Sequence, residues 1–403
     1  MLKNRINEIS TDLLLIICGF IVFSPLSSEI TMQLFHLPLA LPEILLIPFI
    51  YVLRKRLDLR LKITLPFIYL LCLFLVLLGI SFLVQNFRAS SVLSTARGYF
   101  YMLLAYSVFS GKNKTSMAAI MLICLGSTLG WCLLSIEQFI QLTKFVDPDS
   151  SLAVSGNMVA LVLLIVIAII NRNTKMIFLS ISLGLILSLT TGLRRQIVVF
   201  LCSILISYIL VLTAKKGNLT KTYFIMGCFG ASLVFMYPIA ENYVNDVSPI
   251  LHERIFSKSE QLLSGEYSAA DKERTDFINQ FLNNLDKYLL PQGYVSKRTL
   301  EDVGTGVYMD FPLLELSYML GVIFLVIFII YYFRNIYKHL KNYYLNSAKD
   351  SAIWATSGIV LFLLLFLEGS NLNYSYITPF TGLILAKIFM NDTRLTFRRT
   401  LSN

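Results

Sequence analysis

The sequence predicts an all-α, polytopic integral membrane protein with about 12 transmembrane helices and one large helical extracytoplasmic loop. Three observations lead to this fold class. Hydrophobic residues fill 56% of the 403 positions and charged residues only 14%, where soluble domains carry roughly 25% charged residues. Mean hydropathy is +0.70. Apolar runs of about 20 residues, the length that crosses a hydrocarbon core, recur from the N-terminus almost to the C-terminus. This composition excludes a secreted enzyme, a DNA-binding protein and a single-span receptor.

Taken in order, the apolar runs fall at 12–29, 36–53, 63–86, 94–110, 117–140, 152–170, 176–193, 196–214, 221–240, 313–333, 352–369 and 375–390. Lys3 and Arg5 precede the first run as they would in a signal peptide. Glu8 and Asp12 spoil that basic start and no small-residue cleavage pattern follows, so the run is expected to be a retained span. The second run carries one internal acid, Glu43. The fifth contains Gly126 and Gly130, a GxxxG pair whose ordinary meaning is close helix packing. The sixth to eighth are joined by short connections. The expected organisation is a transmembrane bundle over 1–240, a large extracytoplasmic loop over 241–312, and a second transmembrane part with a cytoplasmic tail over 313–403.

The net charge of +10 would suggest nucleic acid in a soluble protein, whereas in a membrane protein it sets orientation. With the N-terminus in the cytoplasm, the inside segments hold 22 of the 34 basic residues, among them the run Arg54, Lys55, Arg56, Arg60 and Lys62. The short outside segments hold five: Arg88, Arg97, Lys144, Arg194 and Arg195. This asymmetry predicts an even span count with both termini cytoplasmic. The remaining basic residues lie in the long loop, which is net acidic.

Within the loop, Ser248-Pro249 opens one expected helix. Ser268 and Asp271 have capping-box spacing ahead of a second, whose apolar stripe of Phe277, Phe281, Leu285 and Tyr288 ends at Pro291. Such a helix should lie on the membrane surface or pack on its neighbours. Arg274 falls on its apolar side. Cys18, Cys72, Cys124, Cys132, Cys202 and Cys228 all fall inside expected spans, so no disulfide or thiolate metal site is expected. His36, His252 and His339 match no metal-ligand spacing. No nucleotide-binding turn is present in the sequence, and no cofactor is expected.

Charges on the translocated side run against the orientation bias and the cost of dehydration. Thr190-Thr191-Gly192-Leu193-Arg194-Arg195-Gln196 is a short turn that brings two guanidiniums to the outer mouth, and Arg88 and Arg97 enter the same layer. Guanidinium offers a planar fork of donors suited to phosphate, which points to a lipid-linked pyrophosphate. The alternative is that these side chains snorkel to headgroups. A second constellation joins Arg274, Pro291-Gln292-Gly293-Tyr294, and Asp310-Phe311-Pro312-Leu313-Leu314-Glu315 leading into a span with Gly321.

A Thr-Gly-x-Arg turn between mid-chain spans, then a large outer loop with an arginine, a Pro-x-Gly-aromatic turn and a polar residue before a glycine-containing span, resembles the O-antigen ligase and O-antigen polymerase superfamily. The resemblance covers about 180–325 in motif detail. It implies that Arg194 and Arg274, with Arg195, Arg88 and Arg97 nearby, hold the pyrophosphate of an undecaprenyl-linked glycan. The ligase branch has a histidine late in the loop. This chain has Asp310 there and its loop histidine, His252, lies far upstream, which favours the polymerase branch.

Glycan transfer needs charge stabilisation at the leaving group and help in removing a proton from the acceptor hydroxyl. Asp310 and Glu315 are the expected catalytic carboxylates, with Asp302 a further acid on that stretch. Glu315 can also be read as an interface residue paired with an arginine. The expected partners are undecaprenyl-pyrophosphate-linked oligosaccharide and membrane lipids, with a chain-length regulator as a candidate and no nucleic acid. The alternatives are a ligase with lipid A-core as acceptor, a 12-span transporter or flippase of lipid-linked oligosaccharide, and a scaffold. A transporter would commonly show related halves, and no repeat joins the first and last six runs.

Overall fold

The computed structural model describes residues 2–35, 65–84, 89–110, 116–144, 157–191, 194–213, 312–367 and 376–389, most of 281–294, and isolated positions between 238 and 279. The expected runs 36–53 and 221–240, most of the loop, and Glu43, Arg88, Arg274, Asp302 and Asp310 lie outside the described residues. Among the described residues there is no strand. The helices are α1 (Leu2–Val22), α2 (Leu26–Phe35), α3 (Leu65–Val84), α4 (Ala89–Phe109), α5 (Met117–Lys144), α6 (Met158–Ile170), α7 (Thr174–Thr191), α8 (Arg194–Thr213), α9 (Pro312–Leu320), α10 (Val322–Asn346), α11 (Lys349–Leu367) and α12 (Thr378–Phe389).

Four of these are long and apolar enough to cross a membrane, over Met117–Ile140, Gln196–Thr213, Val322–Asn346 and Lys349–Phe366. The pair α1–α2, bent by 69°, makes a fifth if it is one span. Large apolar side chains face outward along the helices, with Leu83 85%, Phe178 76% and Ile330 65% exposed. In water such a surface would associate; lipid is its natural solvent.

Helix α6 is the centre of the bundle. Its sequence, MVALVLLIVIAII, is apolar on every side and all thirteen residues are buried, as a helix without a polar face requires. It touches α5, α7, α8, α11 and α12. Asn157 starts it. The Asn157 side-chain oxygen accepts from the Ala160 amide at 3.1 Å, while Nδ2 donates toward Phe23 O at 2.9 Å, Ser127 Oγ at 3.0 Å and Tyr376 O at 3.1 Å. One buried amide therefore ties the core helix to the α1–α2 break, to α5 and to the turn before α12. Freed carbonyls in an apolar interior need such partners.

The expected close packing at Gly126 and Gly130 is present, and its partner is α1. A Cβ on Gly126 would stand 2.0 Å from Ile16 O, and one on Gly19 2.1 Å from Ile123 O. The expected first span, 12–29, is interrupted at Phe23–Pro25. The Pro25 ring cannot continue the ladder; the Ser27 amide, which a regular helix would give to Phe23 O, bonds Ser24 O instead, and the Ser127 hydroxyl and Asn157 amide take up the Phe23 carbonyl. The expected tenth span is likewise two helices, α9 and α10, separated at Gly321.

Candidate functional site

The two breaks of regular backbone nearest Glu315 both rest on glycine. Gly293 has φ 83° and Gly321 φ 78°, a region that side chains with a Cβ rarely adopt. A Cβ on Gly293 would lie 2.4 Å from Ser81 Oγ of α3, and one on Gly321 would lie 2.7 Å from Leu289 O. The Pro291–Tyr294 turn is thus wedged between α3 and the α9–α10 break. Backbone bonds hold it there: Gln292 N donates to Tyr318 O at 3.2 Å, Gly293 N to Met319 O at 3.4 Å and Tyr294 N to Ser81 Oγ at 2.5 Å. Upstream, the expected amphipathic helix narrows to a 3-10 turn over Leu285–Tyr288. Phe281 and Tyr288 stack at 4.8 Å and Tyr288 meets Tyr318 of α9 at 5.5 Å, so this segment packs on its neighbour. Leu285, expected on the same apolar face, is exposed, because the tighter 3-10 winding rotates it away from the i, i+3, i+4 stripe.

Anchored this way, the Tyr294 ring sits 5.3 Å from Tyr99 and 5.5 Å from Phe74. The Tyr99 hydroxyl donates to Glu315 Oε1 at 3.2 Å. Glu315 lies in the first turn of α9, where a negative charge suits the helix dipole, and is only 3% exposed. Its second oxygen, Oε2, has no partner among the described residues. A buried carboxylate oxygen left without a donor is costly in an apolar interior, and such exceptions concentrate at functional sites.

Alongside this cluster runs an apolar cleft between α3, α4, α9, α10, α11 and α12. It extends along α4 from Tyr99 to Tyr106, about 10 Å at 1.5 Å per residue. Tyr99 and Tyr294 line one end, Tyr332, Leu385 and Phe389 the other.

Two contacts give the direction of the helices. The Arg172 guanidinium of the α6–α7 turn is within electrostatic reach of Tyr343, near the end of α10. The Tyr344 hydroxyl is 2.8 Å from Thr213 Oγ1 at the end of α8. The start of α10 and Glu315 are therefore at the opposite end, with the α7–α8 turn. There the Thr191 hydroxyl is within bonding distance of Leu187 O at 2.7 Å and of Gln196 Oε1 at 3.1 Å, closing the connection. Arg194 and Arg195 begin α8.

The start of α8, the sequence position of Arg194 and Arg195, thus lies at the same end of the bundle as Glu315. Arg97 belongs to α4, but it precedes Tyr99 by two residues, about 200° around the helix. It does not share the face that meets Glu315. Among the described residues the hydrogen-bond partner of Glu315 is the Tyr99 phenol. Arg88, Arg274 and Asp310 lie outside the described residues. Sequence reasoning missed Tyr99 and Ser81, which carry no motif. Tyr294 was within a motif already singled out. No protein-family model, curated protein or solved structure matches the chain.

Proposed function

We propose that this chain is a bacterial inner-membrane polysaccharide polymerase, for O-antigen or capsule, with about 12 spans and both termini in the cytoplasm. It transfers a growing glycan from undecaprenyl pyrophosphate to a lipid-linked repeat unit on the outer side. The observation that carries the reading is the buried Glu315 carboxylate, with one oxygen held by Tyr99, which lines an apolar cleft, and the other buried without a hydrogen-bond partner among the described residues. A lipid-linked sugar has the same division: a hydrocarbon chain for the cleft and a reactive polar end for the carboxylate.

In this reaction the acceptor hydroxyl attacks the anomeric carbon of the donor glycan. The bond from that carbon to the pyrophosphate oxygen breaks, undecaprenyl pyrophosphate leaves, and Glu315 Oε2 takes the hydroxyl proton. Fixing Oε1 through Tyr99 keeps Oε2 aimed, which general base catalysis requires. Arg194 and Arg195, with Arg274 and Arg88 as further donors, neutralise the leaving pyrophosphate, so the chemistry needs no metal or nucleotide. Asp310 stands as the second carboxylate of the proposal.

A carboxylate buried beside a broken span also fits a proton-coupled flippase of lipid-linked oligosaccharide. Reconstitution of the purified chain with synthetic undecaprenyl-pyrophosphate repeat units separates the readings. A ladder of lengthened glycans without added nucleotide supports the polymerase. Translocation without lengthening would establish the flippase, and single transfer to lipid A-core the ligase.

A further inference from the structure

The end of the bundle opposite Glu315 carries a surface that the transfer reaction does not use. Helix α10 has 25 residues, about 37 Å at 1.5 Å per residue, longer than the ~30 Å hydrocarbon core. Its first twelve residues, Val322–Phe333, are uncharged. From Arg334 onward a cation or tyrosine recurs at nearly every turn, and the helix contains no acidic residue.

Arg334, Tyr337, Lys338, Lys341, Tyr344 and Leu345 are all exposed, and at 100° per residue they fall within an arc of about 120°. The buried face of the same segment, with Asn335, Ile336 and Tyr343, points the other way. Tyr337 is 66% and Leu345 70% exposed. None of the three cations has an acidic partner among the described residues; Lys338 reaches only Asn335 Oδ1 at 3.4 Å. Arg172 of the α6–α7 turn and Lys175 in the first turn of α7, both exposed, add to the same end.

We propose that this tyrosine-and-cation stripe binds the headgroups of anionic phospholipids. The apolar first half of α10 places Arg334 where the helix leaves the hydrocarbon. Guanidinium and ammonium groups there meet phosphate oxygens, while tyrosines seat their rings among the upper acyl carbons and their hydroxyls at the headgroups. The charge is of one sign along the whole exposed arc, which selects anionic over zwitterionic lipid. The proposal does not depend on the polymerase reading, since it concerns the other end of the molecule.

The test uses the full-length chain in neutral detergent micelles, with thermal unfolding followed as phosphatidylglycerol, phosphatidylcholine or inorganic phosphate is titrated. Phosphatidylglycerol should raise the unfolding temperature and the other two should not. Each removed cation should weaken apparent phosphatidylglycerol binding about five-fold, so R334Q/K338Q/K341Q should lose roughly a hundredfold. The charge-preserving R334K/K338R/K341R should respond like the parent chain, which guards against a folding artefact. Equal stabilisation by phosphatidylcholine, an undiminished response in the glutamine variant, or reproduction of the effect by inorganic phosphate alone would each overturn the proposal.

Discussion

Replacing Glu315 by glutamine changes one functional property while sparing the packing. The amide oxygen can still accept from Tyr99, now 3.2 Å from Oε1, but no atom of the new side chain can take a proton. General base assistance contributes about 10²–10⁴ in rate, or roughly 3–5 kcal/mol of barrier. E315Q is therefore expected to slow elongation by at least a hundredfold. Tyr99→Phe removes the donor and leaves both carboxylate oxygens unheld. A hydrogen bond to a charged group contributes about 1.5–3 kcal/mol, so a loss of roughly ten- to a hundredfold is expected.

Because Tyr99 acts through Glu315, the double variant should be no slower than E315Q alone, a clear departure from additivity. The assay is the initial rate of repeat-unit incorporation in reconstituted vesicles, with each variant normalised to folded protein. Elongation by E315Q within about threefold of the parent would refute the proton-acceptor role. Additive losses in the double variant would refute the positioning role of Tyr99.

Three further outcomes follow from the same geometry. Asn157→Ala removes the α6 cap and the buried side-chain donor to Phe23 O and Tyr376 O; a loss of about 2–4 kcal/mol is expected from the cap and the lost buried hydrogen bonds together, read as a lower unfolding temperature in detergent. Gly126→Leu cannot be accommodated against Ile16 O without parting α1 from α5, so its folded yield should collapse, whereas Gly79→Leu, which meets nothing within 4 Å, should leave yield unchanged. Under the proposed function, Arg194→Ala and Arg274→Ala should each abolish polymer growth with the protein still inserted and abundant, as seen on glycan gels beside immunoblots of membranes.

How much of the molecule was legible beforehand depends on the range of the interaction concerned. Gly126 and Gly130 announced close packing because helical spacing is local, yet nothing in the sequence said that Gly19 of α1 is the partner. The motif Pro291–Tyr294 was visible as a turn, and its two neighbouring glycines were visible as glycines. That Gly293 rests on Ser81 and Gly321 on Leu289 required distant segments to be brought together. Glu315 was legible as an acid at the head of an apolar run, and an arginine was a natural partner to expect. Among the described residues its partner is Tyr99, 216 residues away in sequence, a residue indistinguishable by pattern from the many other tyrosines.

By itself the sequence determined the all-α class, the apolar helices and the crowding of cations toward particular connections. Hydropathy and charge act residue by residue, so their pattern survives without knowledge of the fold. Only the tertiary structure decided where two of those runs break. A break is tolerated only where carbonyls freed from the ladder find donors elsewhere, as Phe23 O finds Asn157 and Ser127. It also decided that one end of the bundle holds Glu315 and the start of α8, and the other the cations of α10. That division follows from helix direction and contact, which no local pattern encodes.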